Sequence, residues 1–256
     1  MTGLAQPGGS GGPGRDHYSY RHYADRGVAE GFDALRFGGP IGEYLLAWQE
    51  QVLLDALEPL EGRTVLDVGT GTGRAAIGLS RSGARVIGVD ASDEMLSVAQ
   101  ARLGRAGLSA GFARADALAL PMADRSVDAV VCLRLLMHVV DWRRCIAELC
   151  RVARHRVVLD FPSARSFAAL EAASRRRKAR RGQRVEAYQV FRSGQIAEAF
   201  EENGLRVVMS RPQFVLPIAA HKAVGSLAAT KGVERVLRAA GLLRRFGSPI
   251  TVVAER

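Results

Sequence analysis

Short runs of Val, Leu and Ile punctuate the chain from residue 64 onward, at 64–68, 84–90, 127–133 and 156–161. They are too short for helices and show little polar alternation, as expected of strands buried on both faces. Helical patterns lie between them. The first opens near Arg74 and stops before Gly83. The second has Ser92 as N-cap, Asp93 and Glu94 in its first turn, and Met95, Leu96, Ala99 and Leu103 on one face. A third starts at Asp141 and turns Ile146, Leu149, Cys150 and Ala153 inward. Strands alternating with helices specify an α/β domain whose parallel sheet is covered on both faces. A weak strand at 111–115 and two late ones at 205–210 and 249–254 bring the sheet to seven. Helices are predicted at 166–181 and 193–203, and a basic amphipathic stretch at 219–246 precedes the last strand.

The chain before residue 64 reads differently. Residues 1–16 are rich in Gly and Pro, offer almost nothing to bury and are expected to be disordered. Residues 17–60 form a helical lead-in, with Leu45, Leu46, Val52, Leu53 and Leu57 at helical spacing and an end near Pro59. The 256 residues are 48% apolar, enough to bury a full core. No apolar run is long enough to span a membrane, and no basic segment followed by an apolar one marks a secretory signal, so a cytoplasmic location is expected. Cys132, Cys145 and Cys150 lack metal-ligand spacing and read as small buried hydrophobes; no metal site is expected. The net charge of +10 comes from 33 Arg and only 3 Lys. A general preference for Arg accounts for that ratio as readily as selection for an anionic partner. The densest run is Arg175–Arg181, with Arg184 just beyond; as a solvated helix face it needs no partner.

The sharpest signal is Asp67-Val68-Gly69-Thr70-Gly71-Thr72-Gly73, which joins a buried strand to a helix. Its glycines permit tight turning and let a ligand lie on bare backbone, where the helix N-terminus offers free N–H groups. A dinucleotide site uses a similar turn, but Asp67, two residues before the first glycine, favours a ligand carrying an ammonium group and repels a pyrophosphate. Asp90 ends the second strand, where a carboxylate can accept from both ribose hydroxyls. Asp116 follows the third strand and can accept from an adenine amino group, with the Ala117 N–H beside it.

These pieces, with Leu120-Pro121-x-x-Asp124-x-Ser126-x-Asp128, His138-Val139 and Glu148-x-x-Arg151-Val152, run in order through 64–161. Together they resemble the class I S-adenosylmethionine-dependent methyltransferases, in particular the ubiquinone and menaquinone C-methyltransferases and many small-molecule O-methyltransferases. The resemblance implies a Rossmann-like, doubly wound, mostly parallel seven-stranded sheet with helices on both faces. It divides the chain into a tail (1–16), then one methyltransferase domain made of a lead-in or lid (17–60), a cofactor core (64–161), and substrate-side insertions with the last strands (162–256). It places Asp67, Gly69, Thr70, Gly71 and Gly73 along the methionine side of S-adenosyl-L-methionine and Asp90 on its ribose. Ala91 and Met95 would lie beside the adenine, Asp116 and Ala117 on its edge, and Leu133 near the methionine end. Met95 can equally be plain core. Two departures stand out: Ala153-Arg154-His155-Arg156 replaces the family's Pro-Gly-Gly turn, and Met137-His138 stands where relatives often pair two histidines.

The implied reaction is displacement of the sulfonium methyl by a substrate nucleophile. His138 is the candidate base; the other reading is a packed or loop-anchoring histidine. The same two readings, site and packing, apply to Tyr20, His22 and Tyr23 in the lid. Leu133-Arg134-Leu135-Leu136 lacks the Asn/Asp-Pro-Pro-aromatic motif of base-amine methylation. No Pro-Cys pair serves cytosine C5 chemistry, and no paired glutamates serve arginine methylation. A small-molecule acceptor such as a phenol, quinone or other secondary metabolite is expected, methylated on O or C. Three further readings stay open: an RNA methyltransferase using 175–184 on phosphates, a non-catalytic adenosyl-ligand binder, and a peripheral membrane contact through 231–245. Nothing in the pattern fixes an oligomeric state.

Overall fold

A computed structural model of the chain describes residues 38–183, 185 and 187–256. The expected tail, the first part of the lead-in with Tyr20, His22 and Tyr23, and Arg184 lie outside the described residues.

Seven strands form one sheet in the order β3-β2-β1-β4-β5-β7-β6. In chain order they are β1 (Thr64–Val68), β2 (Arg85–Asp90), β3 (Gly111–Arg114), β4 (Val127–Cys132), β5 (Ala153–Phe161), β6 (Arg206–Phe214) and β7 (Ser248–Glu255). β1 to β5 are mutually parallel, and β7 runs antiparallel between β5 and β6. The order reverses between β1 and β4, which opens a crevice at the carboxyl ends of the strands. The sheet is therefore the mostly parallel, doubly wound one that the resemblance implies.

Alternate side chains of each central strand feed opposite layers. Val65, Val86, Ala129, Val131 and Val158 pack under α1 (Gly39–Leu57), α2 (Arg74–Arg81) and Leu103 of α3 (Asp93–Arg105). Leu66, Val68, Val130, Val157 and Leu159 pack under α4 (Trp142–Val152) and α6 (Ser193–Glu201). Both layers are closed, so these strands read as continuous apolar runs. The three cysteines are free and buried, as expected.

Three boundaries differ from expectation. β5 starts at Ala153, directly after α4, so Ala153–Arg156 is strand, and a bulge opposite Val127 and Ala129 absorbs the missing turn. β6 continues through Pro212 to Phe214 instead of stopping at residue 210; it is an edge strand, where a missing N–H is tolerated. The basic stretch resolves into α7 (Ile218–Val224), α8 (Leu227–Ala239) and α9 (Leu242–Phe246), broken by Gly225 and Gly241 in left-handed conformations. The inward residues of α8 are Thr230 and Glu234, so its buried face is polar. The 166–181 helix is α5 (Ala168–Arg180), where Arg175 pairs with Glu171 at 2.7 Å and stacks on Tyr188, while Arg176, Arg177, Lys178 and Arg180 are exposed. Among the described residues no helix is long and apolar enough to cross a membrane.

Candidate functional site

The parallel register carries Asp67, Asp90 and Asp116 to the same edge of the sheet. Asp67 is the fourth residue of β1, Asp90 closes β2, and Asp116 lies two residues past β3. The β1–α2 loop begins with Gly69 and Thr70, whose N–H groups both donate to the Val89 carbonyl. Gly69, Gly71 and Gly73 all have positive φ. They do different work. A Cβ on Gly71 would meet nothing nearer than the Gly69 carbonyl at 4.0 Å, so this turn leaves an open cradle. A Cβ on Gly73 would lie 2.9 Å from the Ala99 Cβ, so Gly73 lets α2 approach α3.

Asp90 closes the cradle. Its Oδ2 accepts from the Gly71 N–H at 2.9 Å and its Oδ1 from the Ser92 N–H at 3.0 Å. Burial raises its pKa against these hydrogen bonds. Asp67 is 2% exposed and accepts from the Thr70 hydroxyl at 2.7 Å. Burial, abetted by the Asp90 charge, pushes its pKa up to about 6. A buried carboxylate and a half-buried one beside an open glycine turn disfavour an anionic ligand and suit a cationic one with hydroxyls to donate. The donor set therefore fits an adenosyl ligand with a cationic tail and opposes a pyrophosphate.

The remaining expected contacts sort by position. Ala91 follows Asp90, partly exposed at the cradle's rim, whereas Met95 is buried, with its N–H capped by Ser92. Asp116 accepts from the Leu118 N–H at 2.9 Å, which turns the chain after β3, and Ala117 packs partly on the core. Leu133 follows β4 and is half-buried. His138 is buried in a single 3-10 turn at Leu136–His138, its Nδ1 2.9 Å from the Ala187 carbonyl and its ring edge-on to Tyr188. A carbonyl only accepts, so in the neutral ring Nδ1 carries the proton and Nε2 is the basic nitrogen.

Several motif residues are braces. The Arg151 guanidinium reaches the Leu120 and Met122 carbonyls, Asp124 and Glu148, all within 3.0 Å, and Glu148 accepts from the Leu120 N–H. This clamp fixes the loop that delivers β4. Asp128 accepts from the Thr64 N–H at 2.8 Å and pairs with Arg154 at the opposite end of the sheet.

Sequence reasoning missed Arg134 and Asp160. Asp160 is 2% exposed near the end of β5 and accepts from the Arg134 N–H at 2.6 Å. Arg134 is held at φ 59, a left-handed conformation uncommon outside glycine, which turns the chain directly after β4. Its guanidinium is mostly buried, with Nε finding no hydrogen-bond partner among the described residues. The signal was available: a charge inside each of two apolar strand ends, as at Asp67 and Asp90.

Residues 66–159 match the profile of a family described as a methyltransferase domain. A demethylmenaquinone methyltransferase of Thermus thermophilus is 38% identical over 122 residues, 46% of this chain and 55% of that protein. A ubiquinone biosynthesis O-methyltransferase of Hahella chejuensis is 37% identical over 109 residues, 42% of this chain and 46% of that protein. The chain thus spans about half the length of the curated relatives it matches. A magnesium protoporphyrin IX methyltransferase from Synechocystis, solved with bound SAH, superposes with a TM-score of 0.64 at 18% identity, covering 93% of this chain and 98% of that one. The cyclase SpnF shares the fold at a TM-score of 0.58 and 20% identity, covering 81% of this chain and 80% of that one. Its different chemistry means that the fold does not by itself fix the reaction.

Proposed function

We propose that this chain, whose core matches a methyltransferase-domain profile, is a class I S-adenosylmethionine-dependent methyltransferase that transfers a methyl group to oxygen or carbon of a small molecule such as a phenol, a quinone in its reduced, hydroxylated form, or another secondary metabolite. The observation that carries this reading is the pairing of buried Asp67 with Asp90 around the open Gly71 turn. The names of the relatives, a demethylmenaquinone methyltransferase and a ubiquinone biosynthesis O-methyltransferase, support the acceptor class.

Bound S-adenosylmethionine supplies a methyl group already activated on a sulfonium. The protein's part is to bind, orient and exclude water. Gly69, Thr70 and Gly71 present backbone along the methionine side. Asp67 would face the positive charge there, the spare lone pairs of Asp90 would accept hydrogen bonds from the ribose hydroxyls, Ala91 and Met95 would flank the adenine, and Asp116 with Ala117 would meet its edge. Leu133, just after β4, borders the methionine end. His138, oriented by its bond to Ala187, takes the acceptor's proton at Nε2.

An asparagine at position 138 keeps an N–H donor for Ala187 and removes the base. His138→Asn is therefore expected to lower kcat about 100-fold while leaving the melting temperature and S-adenosylhomocysteine affinity close to wild type. The measurement is S-adenosylhomocysteine release across a panel of phenols and quinones. Unchanged turnover of an accepted substrate would reduce His138 to an anchor, and no release from any phenol or quinone would favour a non-catalytic binder.

Asp67 adds a pH dependence. With its pKa pushed up to about 6, Asp67 is mostly neutral at pH 5 and mostly ionised at pH 7.5. A ligand ammonium is attracted only by the ionised form, so S-adenosylhomocysteine is expected to bind about 10-fold more weakly at pH 5 than at pH 7.5. In the absence of ligand the sign is opposite. The folded state retains a proton that the unfolded state has lost, so the Asp67 contribution to stability falls as pH rises from about 4 to about 6. Calorimetric titration at the two pH values checks the first effect. An affinity that is flat, or higher at pH 5, contradicts the role given to Asp67.

A further inference from the structure

Three arginines converge on a cleft of about 630 Å³, lined among the described residues by Arg165, Arg244, Arg245 and Phe246. Their placement follows from topology. Arg165 lies in the turn after β5, and α9 ends just before β7 begins. Phe161 of β5 pairs with Ile250 of β7, so both segments meet at the carboxyl edge of the parallel strands, the edge that carries Asp67 and Asp90. The cleft therefore stands at this carboxyl edge, beyond β4 and β5 from the glycine turn.

The cleft's chemistry is the reverse of the glycine turn's. All three residues are exposed, and among the described residues none of the three guanidiniums has a carboxylate partner. Like charges gathered without counter-charge repel one another and are relieved by a bound anion, which a planar guanidinium can hold through two parallel hydrogen bonds. An apolar component lies beside them. The Arg245 guanidinium sits over the Phe246 ring at 5.5 Å, and Phe167, two residues beyond Arg165, is 46% exposed.

We infer that this cleft recognises the anionic end of the acceptor, which is then an aromatic or otherwise apolar acid bearing a carboxylate, sulfonate or phosphate away from the methylated atom. This deepens the methyltransferase reading and rests on it for the word acceptor; the anion site itself does not. The cleft fixes one end of such a molecule by charge, and the aromatic body extends along the sheet edge toward the residues after β4.

Fluorescence titration of the full chain with two probes tests this. Anilinonaphthalene sulfonate carries two aromatic units and one anionic group; phenylnaphthylamine carries the same aromatic units without the charge. The Arg244→Gln/Arg245→Gln and Arg165→Gln variants are expected to bind the sulfonate about 10-fold or more weakly while binding the neutral probe as wild type does. Arg176→Gln/Arg177→Gln on exposed α5, which removes the same charge elsewhere, is expected to change neither. Equal sulfonate affinity in the cleft variants, an equal loss in the α5 variant, or displacement of the sulfonate by S-adenosylhomocysteine would overturn the proposal. Parallel S-adenosylhomocysteine titrations separate the two readings: their failure in wild type defeats methyl transfer and leaves the anion result standing.

Discussion

Asp90→Ala is expected to weaken S-adenosylhomocysteine binding about 100-fold or more, with the fold intact. The carboxylate has two tasks in the proposed complex. It accepts from ligand hydroxyls, and hydrogen bonds of that kind to a charged group contribute about 1.5–3 kcal/mol each. It also ties the Gly71 and Ser92 N–H groups together, which fixes the glycine turn against the start of α3. Losing the first task removes contacts, and losing the second loosens the surface on which the ligand lies. Asp90→Asn separates them: its amide oxygen still accepts one N–H, so part of the turn is kept while the charge is lost, and an intermediate affinity is expected. Calorimetry on the two variants, with circular dichroism to establish folding, gives the answer. A folded Asp90→Ala protein with wild-type affinity removes Asp90 from the site.

Glu234→Ala is expected to destabilise the protein by about 3–5 kcal/mol, because it strips the partner from several buried groups at once. Glu234 is 6% exposed and accepts from the Val215 N–H at 3.1 Å and the Leu216 N–H at 3.0 Å. His221 Nε2 stands 3.1 Å from its Oε1, off the axis of a good hydrogen bond. Burial by itself would raise the Glu234 carboxyl; His221 and the two N–H groups outweigh it and the pKa ends below the ordinary value. This single side chain joins α8 to the turn between β6 and α7, and thereby helps hold the lobe that precedes the arginine cleft. Thermal denaturation checks the prediction: about 2–4 °C per kcal/mol is expected for a chain of this size, and an unchanged melting temperature contradicts it. Because the folded pKa is depressed, the contribution of Glu234 is present above pH 4.5 and is lost as pH falls through its lower folded value.

How far each feature could be read depended on the range of the interactions that make it. β1, β2, β4 and β5 lie inside the sheet and are largely buried, so their local composition alone marks them, whereas β3 is an exposed edge strand and reads weakly. Asp67, Asp90 and Asp116 are legible because a carboxylate at the end of an apolar run is conspicuous and the strand spacing carries all three to one edge. Glu234 was not, because a glutamate in a basic amphipathic helix reads as solvated, and its two backbone partners lie 19 and 18 residues away. The extension of β6 through Pro212 depends on that strand's being at the edge, which only the strand order reveals. Gly73 shows a mixed outcome. Its place in the motif suggested a ligand contact, whereas its neighbour is the Ala99 side chain. Asp124 of the Leu120–Asp128 motif is visible as part of a pattern, but not as a member of the clamp that Arg151 makes with it, the Leu120 and Met122 carbonyls and Glu148.

Isothermal titration of the purified chain with S-adenosylhomocysteine, run beside a reduced nicotinamide dinucleotide, probes most directly whether the paired aspartates and the glycine turn form a pocket for a cationic adenosyl donor. Saturable binding of the first at one site, with none of the second, is the predicted outcome. Uptake of the dinucleotide by folded protein that ignores S-adenosylhomocysteine would contradict it.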